Sequence, residues 1–284
     1  MPCRRAMIVA VGNVPSRYAA TQVIASVTPS PVLTGASMAD VAVASFHLVE
    51  VPPTSAPMGV ARIGLDRREL ASIAGLRFSR SMGAGRDGRM ANSFQPTRRA
   101  MFAVWDDDHS VETFLADHPI AERWGAARSA WHVRLALISA RGEWAGRCIL
   151  DDVLPAPVAH TGPVVTLTRA AVRFRSIPAF VRASRTVTES LDEVPGLRRV
   201  VGVGEVPIAR LGTVAVWDSD VSATEAAASW PAHTAAMGAA RDGGWFSESL
   251  FARFAPTASS GTWAGGDPFT DAAAGLCAGQ VARA

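Results

Sequence analysis

Six histidines hold most of the chain's capacity for proton transfer or metal ligation: His47, His109, His118, His132, His160 and His233. An imidazole titrates near neutral pH and, when neutral, offers a lone pair to a metal. His233 lies one turn into a helix that Pro231 begins. It reads either as a ligand to a metal or cofactor or as a solvated helix histidine. His109 follows Asp106, Asp107 and Asp108, which suggests a metal cluster. Three acids ahead of a helix more simply supply its N-cap and offset its dipole, and that reading is preferred. His118 precedes Pro119 and reads as a capping or surface residue. His47 alternates with Phe46 on a strand and faces either a cavity or solvent. Cys3, Cys148 and Cys277 lie far apart without a Cys-x-x-Cys, so neither a disulfide scaffold nor a zinc knuckle is implied. The single tyrosine, Tyr18, falls ahead of the folded body, leaving no tyrosine there to act as a base.

A second chemical signal is Gly83-Ala84-Gly85-Arg86-Asp87-Gly88, a literal G-x-G-x-x-G. A dinucleotide fingerprint needs a helix to start at its glycines, so that the helix N-terminus faces the pyrophosphate. Here Pro96 follows, and then the strand-like Met101-Phe102-Ala103-Val104-Trp105. The motif therefore reads as a connection between two strands at a barrel mouth, with Met82, Gly83, Gly85 and Phe94 beside a ligand.

The elements that position these residues come in two copies. Phe102–Asp108 (FAVWDDD) recurs as Val214–Asp220 (VAVWDSD), with Trp105 and Trp217 112 positions apart. Pro119 and Pro231 keep that spacing. Gly-Ala-Ala-Arg at 125–128 recurs at 238–241, Trp-Ala-Gly at 144–146 recurs at 263–265, and Gly-Leu-Arg at 75–77 recurs at 196–198. Five landmarks in one order indicate a duplicated unit of domain size. Within each copy the residues read strand, helix, strand, strand, helix, strand, the ferredoxin-like order. In the second copy, strands are expected over 163–174, across Arg198–Val206 and across Arg210–Trp217. Helices are expected over 176–187 and from Ser222, where Glu225 would complete a capping box. Sheets with one open face must bury it. The expected class is therefore α+β, tandem ferredoxin-like repeats fused into a dimeric α/β-barrel-like domain. Two independent ferredoxin-like domains are the alternative. The expected units are a loosely packed tail at 1–37, repeats at 38–156 and 157–266, and a C-terminal tail at 267–284.

Composition bounds the partners. Hydrophobic residues make up 49% of 284, enough for a sizeable core. The formal charge is +3 and every basic residue is arginine, scattered among acids, so no nucleic-acid face is indicated. Anion recognition falls to guanidinium forks. No apolar run is long enough for a membrane-spanning helix, and a cytoplasmic protein is expected. Residues 1–37 resemble a poor signal peptide; the preferred readings are a disordered tail, or translation that starts at Met38.

Several stretches resemble the spheroidene monooxygenase family: GLRFSRSMGAG (75–85), FQP (94–96), AVW (103–105 and 215–217), GEVP (204–207) and RDGGWFSESLFARF (241–254). They span most of the folded body. Arg80 stands where the family usually has lysine, and the stretch between Gly85 and Phe94 is longer and more charged. The resemblance implies a haem-binding dimeric α/β barrel that inserts oxygen into an apolar substrate, carotenoid-like or a specialised metabolite. It implies haem b, held by an axial histidine on a helix of the C-terminal copy, the place His233 occupies. Arg77, Arg80 and Arg198 are the expected partners of the haem carboxylates, with Arg199 beside them. Trp245, Phe246 and Phe254 would line the core or the haem pocket, and Phe46 and His47 the substrate pocket. Thiolate ligation is the rival, but Cys148 lacks the cytochrome P450 context. A ferredoxin-type electron donor, peroxide as an alternative oxidant, a monomer or homodimer, and peripheral membrane contact if the substrate is a carotenoid complete the expectation. Other haem reactions (aldoxime dehydration, peroxidation, nitrogen oxygenation), a haem sensor and a cofactor-free monooxygenase are the alternatives.

Overall fold

The computed structural model describes residues 41–87, 94–157, 160–205 and 209–270. The N-terminal tail with Tyr18 and Met38, the stretch 88–93 and residues beyond 270 lie outside them. Along the chain run β1 (Val43–Glu50), α1 (Ala56–Ala71), β2 (Leu76–Asp87), β3 (Phe94–Trp105), α2 (Asp108–Asp117), α3 (Pro119–Gly125) and β4 (Ser129–Gly142). They are followed by β5 (Val164–Val172), α4 (Ile177–Glu189), β6 (Leu197–Glu205), β7 (Arg210–Trp217), α5 (Asp220–Ser229), α6 (Pro231–Asp242) and β8 (Phe246–Gly261). The class is α+β.

All eight strands form one closed antiparallel barrel in the order β1-β3-β2-β6-β7-β5-β8-β4. In each half the fourth strand lies beside the first, and the third lies between the first and second. The halves meet along hydrogen-bonded edges, β2 with β6 and β4 with β8.

Strand alternation explains both layers of core. Phe46 and Leu48 on β1, Val165 and Leu167 on β5, and Val214 and Val216 on β7 point inward. The interior is filled by Trp131, Trp144, Trp263, Phe102 and Phe254, all essentially inaccessible. Alternate residues point outward under the helices: Val43 and Val49 in the first half, Ala215 and Trp217 in the second. The corresponding tryptophans are anchored alike. Trp105 Nε1 donates to Ser45 Oγ at 2.8 Å, and Trp217 Nε1 donates to Thr166 Oγ1 at 3.0 Å.

Several local expectations change. Gly83 and Gly85 lie within β2, not in a connection, and Gly83 pairs with Gly204 at the seam between the halves. A Cβ on Gly83 would lie 2.5 Å from Phe94 Cε2, so the bare glycine admits that ring. The cap of α5 is Ser219, whose side chain accepts from Ser222 N, so the helix begins earlier than a Ser222 cap would place it. Cys148 is disulfide-bonded, although wide cysteine spacing implied no such staple. Residues 267–270 are tied to the barrel. Arg198 donates to the carbonyls of Pro268 and Phe269, and the Phe269 ring packs on Trp131. No described helix is long and apolar enough to cross a membrane.

Candidate functional site

The helices cover the two halves of the barrel differently. In the first half, α1 packs directly on β2 and β3. Arg123 on α3 reaches Asp66 (3.0 Å) and Glu69 (3.1 Å) on α1 and locks the two helices together. Trp124 fills the space beneath and stacks on His132, ring centroids 5.6 Å apart. His47 and His132 meet there with Nδ1 atoms 3.0 Å apart. A hollow of only about 20 Å³ remains.

In the second half, α4 packs on α6 and stands off the sheet. Arg62, Asp66, Arg123 and Trp124 are replaced at corresponding places by Ala183, Val187, Ala236 and Met237. Met237, like Trp124, directly precedes a Gly-Ala-Ala-Arg. Short apolar side chains thus stand where the first half has ion pairs and an indole. A cavity of about 160 Å³, partly open to solvent, lies between α4, α6 and the outer face of the sheet. An adjoining hollow of about 400 Å³ reaches α5, β8 and the end of β4. The larger of the two falls within the usual range of a small-molecule site, about 300–1,000 Å³. Thr168, Trp217, Trp230, His233, Met237 and Phe251 border both.

His233 is the half-buried imidazole at that junction. Pro231 starts α6, which sets His233 in its first turn. Trp230 stacks on the ring at 5.7 Å with planes 13° apart, and its Nε1 donates to Ser190 Oγ at 2.9 Å. The indole therefore fixes the plane of the imidazole. Burial lowers the His233 pKa, with a hydrogen bond to the Ala227 backbone acting the other way. The ring is thus neutral at pH 7 and has a lone pair. Nδ1 is buried and has no hydrogen-bond partner among the described residues. A buried, unpartnered imidazole nitrogen costs stability unless a ligand satisfies it. The opposite wall carries Thr166, whose hydroxyl accepts from Trp217, and Thr168 and Thr213, paired directly across β5 and β7, amid otherwise apolar residues. The donor set suits haem: one oriented neutral imidazole, apolar walls, and few polar groups.

Trp245 and Phe246 join His233 in the cavity. The other expected site residues lie elsewhere. Arg77 is paired with Asp106, and Arg198 with Asp218, across corresponding turns of the two halves. Arg199 donates to the Arg198 carbonyl. Arg80 faces Glu205 at 3.5 Å. Glu205 also accepts from Arg169 and from Trp144 Nε1, binding the Trp144 turn to the barrel end. None of Arg77, Arg80, Arg198 or Arg199 lines the cavity, so the carboxylate-anchoring role expected of them is not met there. Phe46, Met82 and Phe254 belong to the packed interior, which is filled where the sequence suggested a substrate space. His47 lies beneath the first half's helices. Gly83, Gly85 and Phe94 sit at the β2 seam, and no helix starts at the glycines. His118 and Asp107 cap the two helices: His118 Nδ1 accepts from Ile120 N, and Asp107 Oδ1 from Ser110 N.

Sequence reasoning passed over Trp230, Met237 and the Thr168–Thr213 pair. The substitution of Met237 for Trp124 in otherwise matching stretches was the available signal.

No family model matches the chain. Spheroidene monooxygenase of Rubrivivax gelatinosus is 34% identical over 219 residues, 77% of this chain and 83% of the relative. Spheroidene monooxygenase of Rhodobacter capsulatus is 32% identical over 235 residues, 80% of this chain and 95% of the relative. Among solved structures, an aldoxime dehydratase superposes with a TM-score of 0.49 at 8% identity, covering 76% of this chain and 81% of that one. The haem-degrading enzyme of Listeria monocytogenes superposes with a TM-score of 0.27 at 12% identity, covering 73% and 98%. With a third of its residues shared over most of both chains, this protein belongs to the spheroidene monooxygenase family.

Proposed function

We propose that the chain is a monooxygenase that binds haem b through His233 and oxygenates an apolar substrate in the cavity between α4, α6 and the outer sheet face. One observation carries the reading: His233, whose Nδ1 has no hydrogen-bond partner among the described residues, borders a hollow in one half of the barrel. The corresponding places of the other half are packed shut. Family membership supports oxygenation, since the relatives are named for the oxygenation of spheroidene. A carotenoid-like substrate or another apolar metabolite suits the walls. We read the two halves as copies of a ferredoxin-like unit, about 38–156 and 157–266, fused into a barrel in which the second keeps an open site.

The chain's own residues have defined tasks. His233 supplies the lone pair, and Trp230 holds the ring in plane. Phe180, Val187 and Phe246 exclude water from the slot and offer apolar contact. Thr168 and Thr213 supply hydroxyls where a polar group of a ligand needs orientation. Bound haem would supply the oxygen activation that none of these side chains can perform. Electrons would come from a ferredoxin-type protein, or peroxide would serve as oxidant.

The test is the visible spectrum of the purified chain with and without added haem, followed by oxygen consumption with a reductant and an apolar polyene. A saturable Soret band with oxygen transferred to the polyene is expected. No saturable uptake removes the haem and the mechanism together.

A further inference from the structure

Haem carries two carboxylates at one edge of its ring, and the arginines expected to meet them are engaged elsewhere. From the structure, we infer that Arg141 and Arg241 form an anion-binding rim on the His233 hollow and hold those carboxylates, an assignment that rests on the haem reading above.

Three arginines line the hollow that His233 shares: Arg141, Arg241 and Arg253. Arg253 is committed. It meets Asp220 at 2.9 Å and also bonds Ser139 and Thr224. Arg141 and Arg241 have no carboxylate partner among the described residues, and both are exposed at the mouth. Two cations without anions, bordering one cavity, form an electropositive rim.

Their placement suits a ligand centred at His233. Residues 233, 237 and 241 recur every four positions on α6, so they share one helix face. His233, Met237 and Arg241 all line the hollow. Arg241 stands eight residues beyond His233, about 12 Å along the axis at roughly 1.5 Å per residue. Were haem held through His233, its carboxylates would lie to one side of that residue, where Arg241 stands. Arg141 approaches from the sheet. It pairs in register with Phe251 across β4 and β8, and its guanidinium lies 4.7 Å from the centre of that ring. The stacked ring steadies the fork while leaving its N–H groups free. Phe251 also borders both hollows, so this arginine is anchored on the cavity wall itself. Two forks, one from the helix and one from the sheet, match two carboxylates in number and chemistry.

The experiment titrates the full chain with haem b and, separately, with haem dimethyl ester, whose carboxylates are uncharged, following the Soret band. The unmutated chain should bind haem b more tightly than the ester. Arg141→Gln combined with Arg241→Gln should weaken haem b about tenfold, the scale of a charge-assisted hydrogen bond, and leave the ester unchanged. Arg77→Gln with Arg198→Gln should keep the preference, because those side chains serve Asp106 and Asp218. Thermal melts of the ligand-free variants establish that the exposed substitutions leave the fold intact. Equal affinity of the unmutated chain for the two porphyrins, or a preference that survives in the double variant, overturns the assignment while haem binding stands. No uptake of either porphyrin by the unmutated chain overturns the assignment and the haem reading together.

Discussion

Mild acid should destabilise the protein through the His47–His132 pair, before most carboxylates titrate. His47 is 1% exposed, with Nε2 2.8 Å from Ser45 Oγ and Nδ1 facing His132 Nδ1. Burial, and then the charge of His132, hold the His47 pKa well below its ordinary value; burial lowers that of His132 to about 4. In the unfolded chain both protonate near 6.5. Between pH 6.5 and 4 the unfolded state therefore binds more protons, so stability rises with pH across that window and falls on acidification. For His132 the span is about 2.5 pH units. At about 1.4 kcal/mol per unit this gives about 3 kcal/mol lost by pH 4, a large share of a typical 5–15 kcal/mol. His47 adds to it. The assay is urea unfolding at pH 7, 6 and 5, a range that keeps carboxylate protonation small. Stability should fall by about 1.4 kcal/mol per pH unit for each histidine below pH 6.5, and His132→Gln should flatten the slope. Equal stability at pH 7 and pH 5, or an unchanged slope in the variant, would refute the linkage.

Met237→Trp copies the residue that closes the first half. It should cut haem uptake at least tenfold while leaving the apo-protein's melting temperature equal or higher, read by Soret titration and calorimetry. Undiminished uptake would mean that ligand does not enter there. Gly212→Ala puts a methyl 2.4 Å from the Thr168 carbonyl oxygen, a backbone atom that cannot rotate away. A loss of about 1–3 kcal/mol in urea unfolding is expected, and a neutral result would show that β5 and β7 can move apart there.

Local features were legible in the sequence because neighbours decide them. Pro231 started α6, Asp107 and His118 became caps, and β-branched runs became strands. Each depends on residues within a turn or two. The repeated Trp105 and Trp217 marked corresponding strands, and both anchor to a hydroxyl on the strand beside them. The misses were long-range. Arg77 and Arg198 looked free because their partners, Asp106 and Asp218, lie 29 and 20 residues away. Met82 and Phe46 looked like pocket residues because alternation says which residues share a face but not whether that face is filled. Three tryptophans fill it. The open space arises instead from what is missing beneath α4, where Ala183, Val187, Ala236 and Met237 stand in for Arg62, Asp66, Arg123 and Trp124. A void is the joint result of side chains from several elements, and no single stretch announces it.

His233 is the proposed protein ligand to haem iron. Its most direct test is the Soret spectrum and haem affinity of His233→Ala beside His118→Ala, a control whose histidine only caps α3. His233→Ala should lose haem or hold it weakly with a shifted band, and added imidazole should restore the spectrum. His118→Ala should match the unmutated chain. An unchanged spectrum and affinity in His233→Ala would contradict the account and place the ligand elsewhere.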